Sequence, residues 1–304
     1  MESLLYQKYV FTLKFAEKIS FTVDPIFLIR SVLGYNLRKI CCLSRNSVCS
    51  ECLYNKDCMY SWLFESIISK DNLIVENRDR TSHPYILFSN KKVSLDTPCD
   101  SFTFDFILLG RSIKYLPYIY AALVRAGEAG LDKNRIQFSV ESVTVDGSDI
   151  IQDSQIIPDV PGISWAFTEN SPLRGEILVQ LLTPLRFKAS GKYTIDFSAQ
   201  DFFLCLARRY AVLCQLYGEY TEEKYFFPQG NITLENRNLS WIDIKHYSAR
   251  QKKQMNLGGV TGTFTLKGTF SVKELSLLEF AKTFGAGKNT NFGLGRLDYW
   301  IRTE

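Results

Sequence analysis

Residues 285–295 read Gly-Ala-Gly-Lys-Asn-Thr-Asn-Phe-Gly-Leu-Gly, and this glycine-rich loop decides how its surroundings are interpreted. Before the loop, Ser271 and Glu274 have the spacing of a capping box, and apolar residues follow them at helical intervals. After it, residues 297–301 alternate apolar and polar side chains, as in a half-buried strand. The predicted order is therefore helix, glycine-rich loop, strand.

The glycine-rich loop has two interpretations that the spacing leaves open. Glycine permits positive φ and leaves amide N–H groups uncovered, so the loop could cradle a phosphate or simply form a tight turn. Neither common phosphate-loop motif fits, because Lys282 and Thr290 stand where a Walker loop and a dinucleotide loop need glycine. The glycines concerned are Gly285, Gly287, Gly293 and Gly295.

The composition is that of a globular protein with roughly two domains. The chain has 304 residues, of which 46% are hydrophobic and 14% aromatic. Its net charge is only +4, so a nucleic-acid surface must be a local patch. There is no apolar run near the roughly 20 residues of a membrane helix, and no secretory signal is expected at residues 1–3. The chain has eight cysteines and does not have the small size of a disulfide-rich secreted protein, so we expect a cytoplasmic location with reduced thiols or bound metal.

The predicted elements occur twice in the same order. Residues 1–150 read as strand, helix, strand, strand, helix, strand, with a cysteine-rich insertion at 41–65. Residues 151–175 are rich in Asp, Pro, Gly and Ser and are predicted to be a linker. Residues 176–304 repeat the order and contain the glycine-rich loop. We therefore predict an α+β protein with two tandem ferredoxin-like (RRM-like) domains, an order that many RNA-binding modules share.

Two further details of the secondary structure are predicted. Asp24 followed by Pro25 marks the start of the first helix, and Ser198 with Asp201 marks the start of another. In the second half, residues 218–235 read as irregular, and residues 241–248 read as one strand.

The cysteine-rich insertion suggests a metal site or a small thiol core. Cys49 and Cys52 form the tight pair that a tetrahedral metal prefers, with Cys42 and Cys58 as third and fourth ligands of a structural zinc. The spacing is not that of a standard zinc finger, and no histidine lies between the cysteines. The alternative is a set of reduced thiols in a satellite core.

A basic run at residues 245–254 is the densest in the chain, and it has no acidic partner inside it. It is interpreted either as a surface for RNA phosphates, with Tyr247 as a stacking face, or as a solvated loop. The chain has only two histidines, His83 and His246, and the second lies inside this run. That position favours His246 over His83 as an acid–base group.

Several blocks in a fixed order resemble the CRISPR-associated endoribonucleases that cut precursor CRISPR RNA within its repeats, members of the RAMP (repeat-associated mysterious protein) superfamily. The last block is the most specific, because a glycine-rich loop after the final helix is typical of the superfamily. The blocks are Cys49-x2-Cys52-x5-Cys58-x-Tyr60-x2-Leu63-Phe64-Glu65, His83-Pro84-Tyr85, Leu109-Gly110, Leu116-Pro117-Tyr118 with Ala121, Leu182-Thr183-Pro184-Leu185-Arg186, Tyr247-Ser248-Ala249-Arg250-Gln251, Leu257-Gly258-Gly259 with Gly262, and residues 287–295.

The resemblance implies two ferredoxin-like domains facing a basic cleft that holds the repeat RNA. It also implies cleavage without a metal or other catalytic cofactor, in which the RNA's own 2′-hydroxyl attacks the adjacent phosphate. The products would be a 2′,3′-cyclic phosphate and a 5′-hydroxyl, and the released pieces would be guide RNAs. Many members carry a catalytic histidine near the first helix, whereas residues 25–60 contain none.

The resemblance leaves two catalytic assignments. In the favoured one, His246 is the acid–base group, with Arg250, Lys252 and Tyr247 beside it. In the other, Tyr35 and Lys39 act without histidine, and His83 is a further candidate. The residues assigned to RNA binding are Lys245, Lys253, Lys288, Arg296 and Arg38.

The expected partners are CRISPR repeat RNA, subunits of a CRISPR effector complex, and a second copy of the chain. The competing function is that of a non-catalytic RAMP subunit, which binds guide RNA within an effector complex. A third alternative is a protein that binds RNA and cuts it poorly.

Overall fold

The computed structural model describes residues 3–44, 48–66, 82–90, 95–131, 134–157, 160–167, 171–219, 231–248 and 253–303; of residues 245–248, 253–255 and 303 it describes the main chain. The chain divides into two compact units. The N-terminal unit comprises Leu4–Ser164, and the C-terminal unit comprises Trp165–Glu304 with Met1–Ser3. The division at residues 164 and 165 lies inside the segment predicted to be a linker, and that segment contains short strands.

The N-terminal unit is an antiparallel sheet with two helices. The main elements are β1 (Leu4–Ile19), α1 (Pro25–Cys41), β2 (Tyr85–Ser89), β3 (Cys99–Leu109), α2 (Leu116–Ala129) and β4 (Phe138–Val145). Four short strands follow, β5 (Ser148–Asp149), β6 (Ile151–Gln152), β7 (Gln155–Ile156) and β8 (Ile163–Trp165). The sheet order is β2-β3-β1-β4-β5, with β8 also paired to β1. Shorter helical segments are Cys49–Glu51, the π-helical turn Ser61–Glu65, and Gly110–Tyr115.

The C-terminal unit repeats this arrangement. Its elements are β9 (Leu173–Leu185), β10 (Lys188–Ala189), β11 (Lys192–Tyr193), α3 (Ala199–Tyr217), β12 (Ile232–Ile242), β13 (Lys245–Ser248), β14 (Lys253–Asn256), β15 (Gly259–Phe270), α4 (Val272–Phe284), a short 3-10 turn Thr290–Phe292, and β16 (Leu297–Thr303). The main sheet has the order β12-β15-β9-β16, while β10 pairs with β11 and β13 with β14.

Both units therefore have the ferredoxin-like topology. In each, the first strand lies beside the last and the third, and the two helices connect the strands in the order βαββαβ. The prediction of an α+β protein with two tandem ferredoxin-like folds is confirmed. In the part of the chain that the structure describes, no helix combines the length and the apolar character needed to cross a membrane.

The helix starts follow the capping residues. Asp24 accepts a hydrogen bond from the amide of Ile26 at 3.0 Å, and Pro25 occupies the first turn of α1. Capping boxes begin α3 and α4, formed by the pairs Ser198–Asp201 and Ser271–Glu274. These local signals fix where α1, α3 and α4 begin, whereas α2 begins after Tyr115 without a side-chain cap.

Two strand predictions in the C-terminal unit were wrong. A strand that pairs with β15 already starts at Ile232, inside the segment read as irregular. The single strand predicted at 241–248 is two strands, because β12 ends at Ile242 and β13 pairs with β14 instead of β15. The change of strand partner depends on tertiary contacts, so it cannot be predicted from the alternation of residue types.

Candidate functional site

The last two turns of α1 present three polar side chains on one face. Tyr35, Arg38 and Lys39 have the i, i+3, i+4 spacing that brings side chains together on a helix. Arg125 of α2 and Cys42, which follows α1, complete the lining of a cavity of about 450 Å³. Among the residues that the structure describes, those that line this cavity include no carboxylate. We call this the α1 pocket.

Tyr35 and Lys39 form the central contact of the α1 pocket. The Nζ atom of Lys39 lies 4.2 Å from the centroid of the Tyr35 ring. The hydrogen bond and positive charge of Lys39 hold the pKa of the Tyr35 phenol below its usual value, and the charge of Arg125 acts in the same direction. The Tyr35 side chain is 63% exposed, so a substrate can reach its oxygen.

Arg38 is held by an aromatic turn beside the pocket. Its guanidinium lies 5.8 Å from the ring centroid of Tyr60, and Arg30 lies 5.5 Å from the ring of Phe64. Tyr60 and Phe64 themselves stack at 5.4 Å. The segment around the π-helical turn therefore supports the basic face of α1.

The α1 pocket has the groups that phosphodiester transfer requires. A lowered pKa increases the fraction of Tyr35 that is phenolate, and a phenolate can accept a proton from a hydroxyl. Ammonium and guanidinium groups can stabilise negative charge on phosphate oxygens. Tyr35, Lys39 and Arg38 were predicted from the sequence, whereas Arg125 was not. Arg125 lies far away in the chain, and only the packing of α2 against α1 brings it to the pocket.

His246 lies on a different part of the molecule, the β13–β14 hairpin of the C-terminal unit. In the register of this hairpin, Lys245 pairs with Asn256, His246 with Met255, Tyr247 with Gln254 and Ser248 with Lys253. Arg250 and Lys252, predicted to act with His246, lie outside the described residues. The catalytic role of this group stays a prediction.

His83 has a structural setting. Its Nδ1 atom is 2.7 Å from the hydroxyl of Ser66 and 2.9 Å from the carbonyl oxygen of Leu63. Its ring centroid lies 5.6 Å from that of Tyr85. These contacts join the end of the π-helical turn to the start of β2. Such contacts are typical of a histidine that has a structural role.

The cysteines of the insertion gather around one cavity. Cys41, Cys42, Cys49, Cys52 and Cys58 line a cavity of about 290 Å³. Burial raises the pKa of Cys41 to about 11 and also raises that of Cys49, as expected for thiols in an apolar setting. Within the described residues, no three His, Cys, Asp or Glu side chains are arranged to hold a metal ion. Zinc at Cys42, Cys49, Cys52 and Cys58 stays a prediction, which metal analysis of the purified protein tests.

Most amides of the glycine-rich loop donate hydrogen bonds within the protein itself. Gly295 donates to the carbonyl of Pro184 at 3.0 Å, Lys288 to that of Arg186 at 2.9 Å, and Ala286 to that of Gly295 at 2.8 Å. The amides of Phe292, Gly293 and Leu294 donate within the loop. An anion would compete with these bonds, so the geometry favours a structural turn over a phosphate cradle.

Arg209 fastens the loop from inside. This buried side chain on α3 donates to the carbonyls of Phe284 and Gly285 and to the hydroxyl of Thr290, at 2.7–3.2 Å. Burial lowers the pKa of its guanidinium to about 10. The carbonyls at the end of α4 are the negative pole of that helix, which suits a cation there.

The two remaining predicted RNA contacts of the C-terminal unit flank this loop. Lys288 is exposed, with its Nζ atom 6.0 Å from the ring centroid of Tyr193. Arg296 is half-buried, and its amide donates to the hydroxyl of Thr183 at 2.9 Å. The side chains of Lys245 and Lys253 lie outside the described part, since only their main chain is placed.

Two family models match the chain. Residues 4–160 match AF_1859_N, described as an N-terminal domain, and residues 179–297 match the CRISPR-associated endoribonuclease Cas6. Together the two matches span most of the chain. A search of curated proteins gave no significant match.

Solved structures share the fold along the whole chain. Thermus thermophilus Cas6 aligns with a TM-score of 0.53 at 14% identity, covering 98% of this chain and 99% of that one. A Cas6 product complex gives 0.52 at 14% identity, with 97% and 99% covered. A partial Cas6-RT-Cas1–Cas2 complex gives 0.56 at 16% identity, covering 98% of this chain and 46% of the other. At these identities the likeness concerns the fold, and the family models carry the assignment: residues 179–297 belong to the Cas6 family of CRISPR-associated endoribonucleases, and residues 4–160 belong to the family AF_1859_N.

Proposed function

We propose that the chain cuts precursor CRISPR RNA within its repeats, without a metal, by attack of the RNA's 2′-hydroxyl on the adjacent phosphate. The products are a 2′,3′-cyclic phosphate and a 5′-hydroxyl, and the released pieces serve as guide RNAs. The observation that supports the proposal is the Tyr35–Lys39 contact, inside a pocket whose described lining contains two arginines and no carboxylate. Side chains alone can therefore supply a base and a phosphate-binding charge.

In this mechanism the Tyr35 phenolate accepts the proton of the 2′-hydroxyl. The 2′-oxygen forms its bond to phosphorus while the bond from phosphorus to the 5′-oxygen breaks. Arg38 and Arg125 stabilise the charge on the non-bridging oxygens, and the Lys39 ammonium gives a proton to the leaving 5′-oxygen. No water is consumed, and the two proton transfers balance.

The alternative assignment places the acid–base group at His246, in the basic run of the C-terminal unit. It has the advantage that histidine titrates near neutral pH. Its disadvantage is that Arg250 and Lys252 lie outside the described residues, so no contact supports the group. The α1 pocket is preferred because its members contact one another.

The chemistry is tested with a repeat RNA that carries a 2′-deoxy nucleotide immediately 5′ of the cut. We expect this single change to abolish cleavage, because the nucleophile is missing, while EDTA leaves the rate of the unmodified RNA unchanged. A 2′-deoxy nucleotide two positions away serves as the control and should be cut normally. Cleavage of the RNA that lacks the nucleophile, or loss of activity in EDTA without unfolding by circular dichroism, would contradict the mechanism.

Removing Lys39 is expected to change the pH dependence of cleavage. Since the charge of Lys39 stabilises the phenolate, it lowers the pKa of Tyr35, and the wild-type rate should rise with pH and level off below pH 10. Lys39→Ala raises that pKa and also removes the proposed proton donor, so the inflection moves to higher pH and the rate falls throughout the profile. Lys39→Arg keeps the charge and should keep the inflection. A Lys39→Ala profile whose inflection has not moved would rule out this coupling.

The partners follow from the same proposal. Repeat RNA is the substrate, and other CRISPR-associated proteins receive the product in the cytoplasm of a prokaryote. A homodimer is a further prediction, which sedimentation analysis of the purified protein tests.

A further inference from the structure

Three cationic side chains of the C-terminal unit surround the ring of Tyr193. The guanidinium carbon of Arg186 lies 4.1 Å from the ring centroid, the Nζ atom of Lys188 lies 5.3 Å away, and that of Lys288 lies 6.0 Å away. They come from the end of β9, from β10 and from the glycine-rich loop. We call Arg186, Lys188, Lys288 and Tyr193 the Tyr193 cluster.

The main chain holds the Tyr193 cluster in place. Lys188 and Tyr193 are paired across the β10–β11 hairpin, whose turn uses Ser190 and Gly191 at positive φ. The Lys288 amide donates to the carbonyl of Arg186 at 2.9 Å, and Arg186 Nη1 donates to the carbonyl of Gly258 at 2.6 Å. The three charges are therefore fixed near one another by backbone contacts.

No carboxylate of the described residues forms an ion pair with a member of the cluster. Among the residues that the structure describes, the ion pairs of this unit are Arg237–Asp196, Lys267–Glu176 and Lys282–Asp298, and none includes a member of the cluster. Like charges that are held close together repel one another. A bound anion would remove this cost, so the arrangement fits an anionic ligand.

The aromatic rings indicate which anion. Tyr193 is 38% exposed, and the centroid of the Trp241 ring lies 6.5 Å from its own. The indole of Trp241 is oriented by a hydrogen bond from Nε1 to Asp243 at 2.9 Å. An exposed aromatic face beside fixed cations is how proteins bind single-stranded nucleic acid, because bases stack on the ring while phosphates contact the charges.

We propose that the Tyr193 cluster binds an unpaired segment of RNA, with a base stacked on Tyr193 and neighbouring phosphates on Arg186, Lys188 and Lys288. The proposal rests on the proposed function in that RNA is the substrate, and it adds a contact site in the C-terminal unit apart from the α1 pocket. It concerns side chains only, since most amides of the glycine-rich loop donate to the protein.

The test is fluorescence anisotropy with a labelled single-stranded oligouridine of about 12 nucleotides, which lies within the range that such surfaces cover. We expect Tyr193→Ala to raise Kd by roughly 10-fold and Tyr193→Phe, which keeps the ring, to leave Kd near wild type. Lys188→Ala with Lys288→Ala should lower the slope of log Kd against log salt concentration by about 1.4, at roughly 0.7 for each phosphate that no longer meets a lysine. Lys267→Ala, which removes a lysine outside the cluster, is the control for charge alone.

Three outcomes would overturn the proposal: a Kd for Tyr193→Ala equal to wild type, a salt slope for the double lysine variant equal to that of Lys267→Ala, or tighter binding of a duplex RNA of the same length. Oligouridine binding is measured apart from cleavage of repeat RNA, so the two proposals fail separately. If the wild-type chain cuts repeat RNA and Tyr193→Ala leaves the Kd for oligouridine unchanged, only this inference is contradicted. A chain that binds through Tyr193 but never cuts contradicts the proposed function alone.

Discussion

Replacement of Tyr35 by phenylalanine is expected to lower the single-turnover rate of repeat cleavage by roughly 10²- to 10⁴-fold, the usual contribution of a general base. The substitution removes only the phenolic oxygen from the α1 pocket. Arg38, Lys39 and Arg125 remain to hold the phosphate, so the Kd for the RNA should change less than about twofold. Rate and affinity are measured with the same labelled repeat.

Two variants make this result decisive. Tyr118→Phe removes the hydroxyl of another exposed tyrosine of the same unit and should cleave at the wild-type rate. His246→Ala tests the alternative site and should also keep its rate if the base is Tyr35. A His246→Ala protein that binds but does not cut, together with an active Tyr35→Phe protein, would transfer the assignment to the basic run.

Gly295→Ala is expected to have the largest effect on stability. Gly295 has φ 78°, and an added Cβ would overlap the carbonyl oxygen of Ala286. That carbonyl cannot easily withdraw, because the Ala286 amide donates to the carbonyl of Gly295 at 2.8 Å. We expect the free energy of unfolding to fall by more than roughly 4 kcal/mol, measured by urea denaturation.

Gly191→Ala is the matched control for this steric effect. Gly191 has φ 80°, almost the same as Gly295, but no atom lies within 4 Å of its added Cβ. Gly191→Ala should lower the free energy of unfolding by about 1–2 kcal/mol, which is the cost of placing an L-residue at positive φ. Equal decreases in stability in the two variants would show that backbone conformation, and not close packing of the loop, explains the need for glycine at position 295.

The signals that predicted correctly were local ones. Asp24 and Pro25 placed the start of α1, and the pairs Ser198–Asp201 and Ser271–Glu274 placed those of α3 and α4. Caps act within one turn of chain, so the sequence carries the whole signal. The helix also fixed the relation of Tyr35, Arg38 and Lys39, since the spacing along α1 is the spacing of neighbours on its surface.

What could not be predicted depends on contacts between distant segments. Arg125 joins the α1 pocket only through the packing of α2, and Tyr193 meets Lys288 only because the glycine-rich loop hydrogen-bonds to Arg186. The sequence pattern predicted an RNA-binding surface around His246 because the basic residues there are close together in the chain. The Tyr193 cluster has charges of the same kind, but they are spread over a hundred residues and show no pattern until the chain folds.

The position of β16 has a consequence for synthesis of the protein. This strand pairs with β9 over seven positions, from Leu297 with Leu181 to Thr303 with Gly175, although the other elements of the unit lie between them in the chain. Until β16 has left the ribosome, one edge of β9 is unpaired, and an unpaired edge can join a strand of another chain. The C-terminal unit therefore completes its sheet only after the N-terminal unit has all of its strands, and nascent chains can aggregate in that interval.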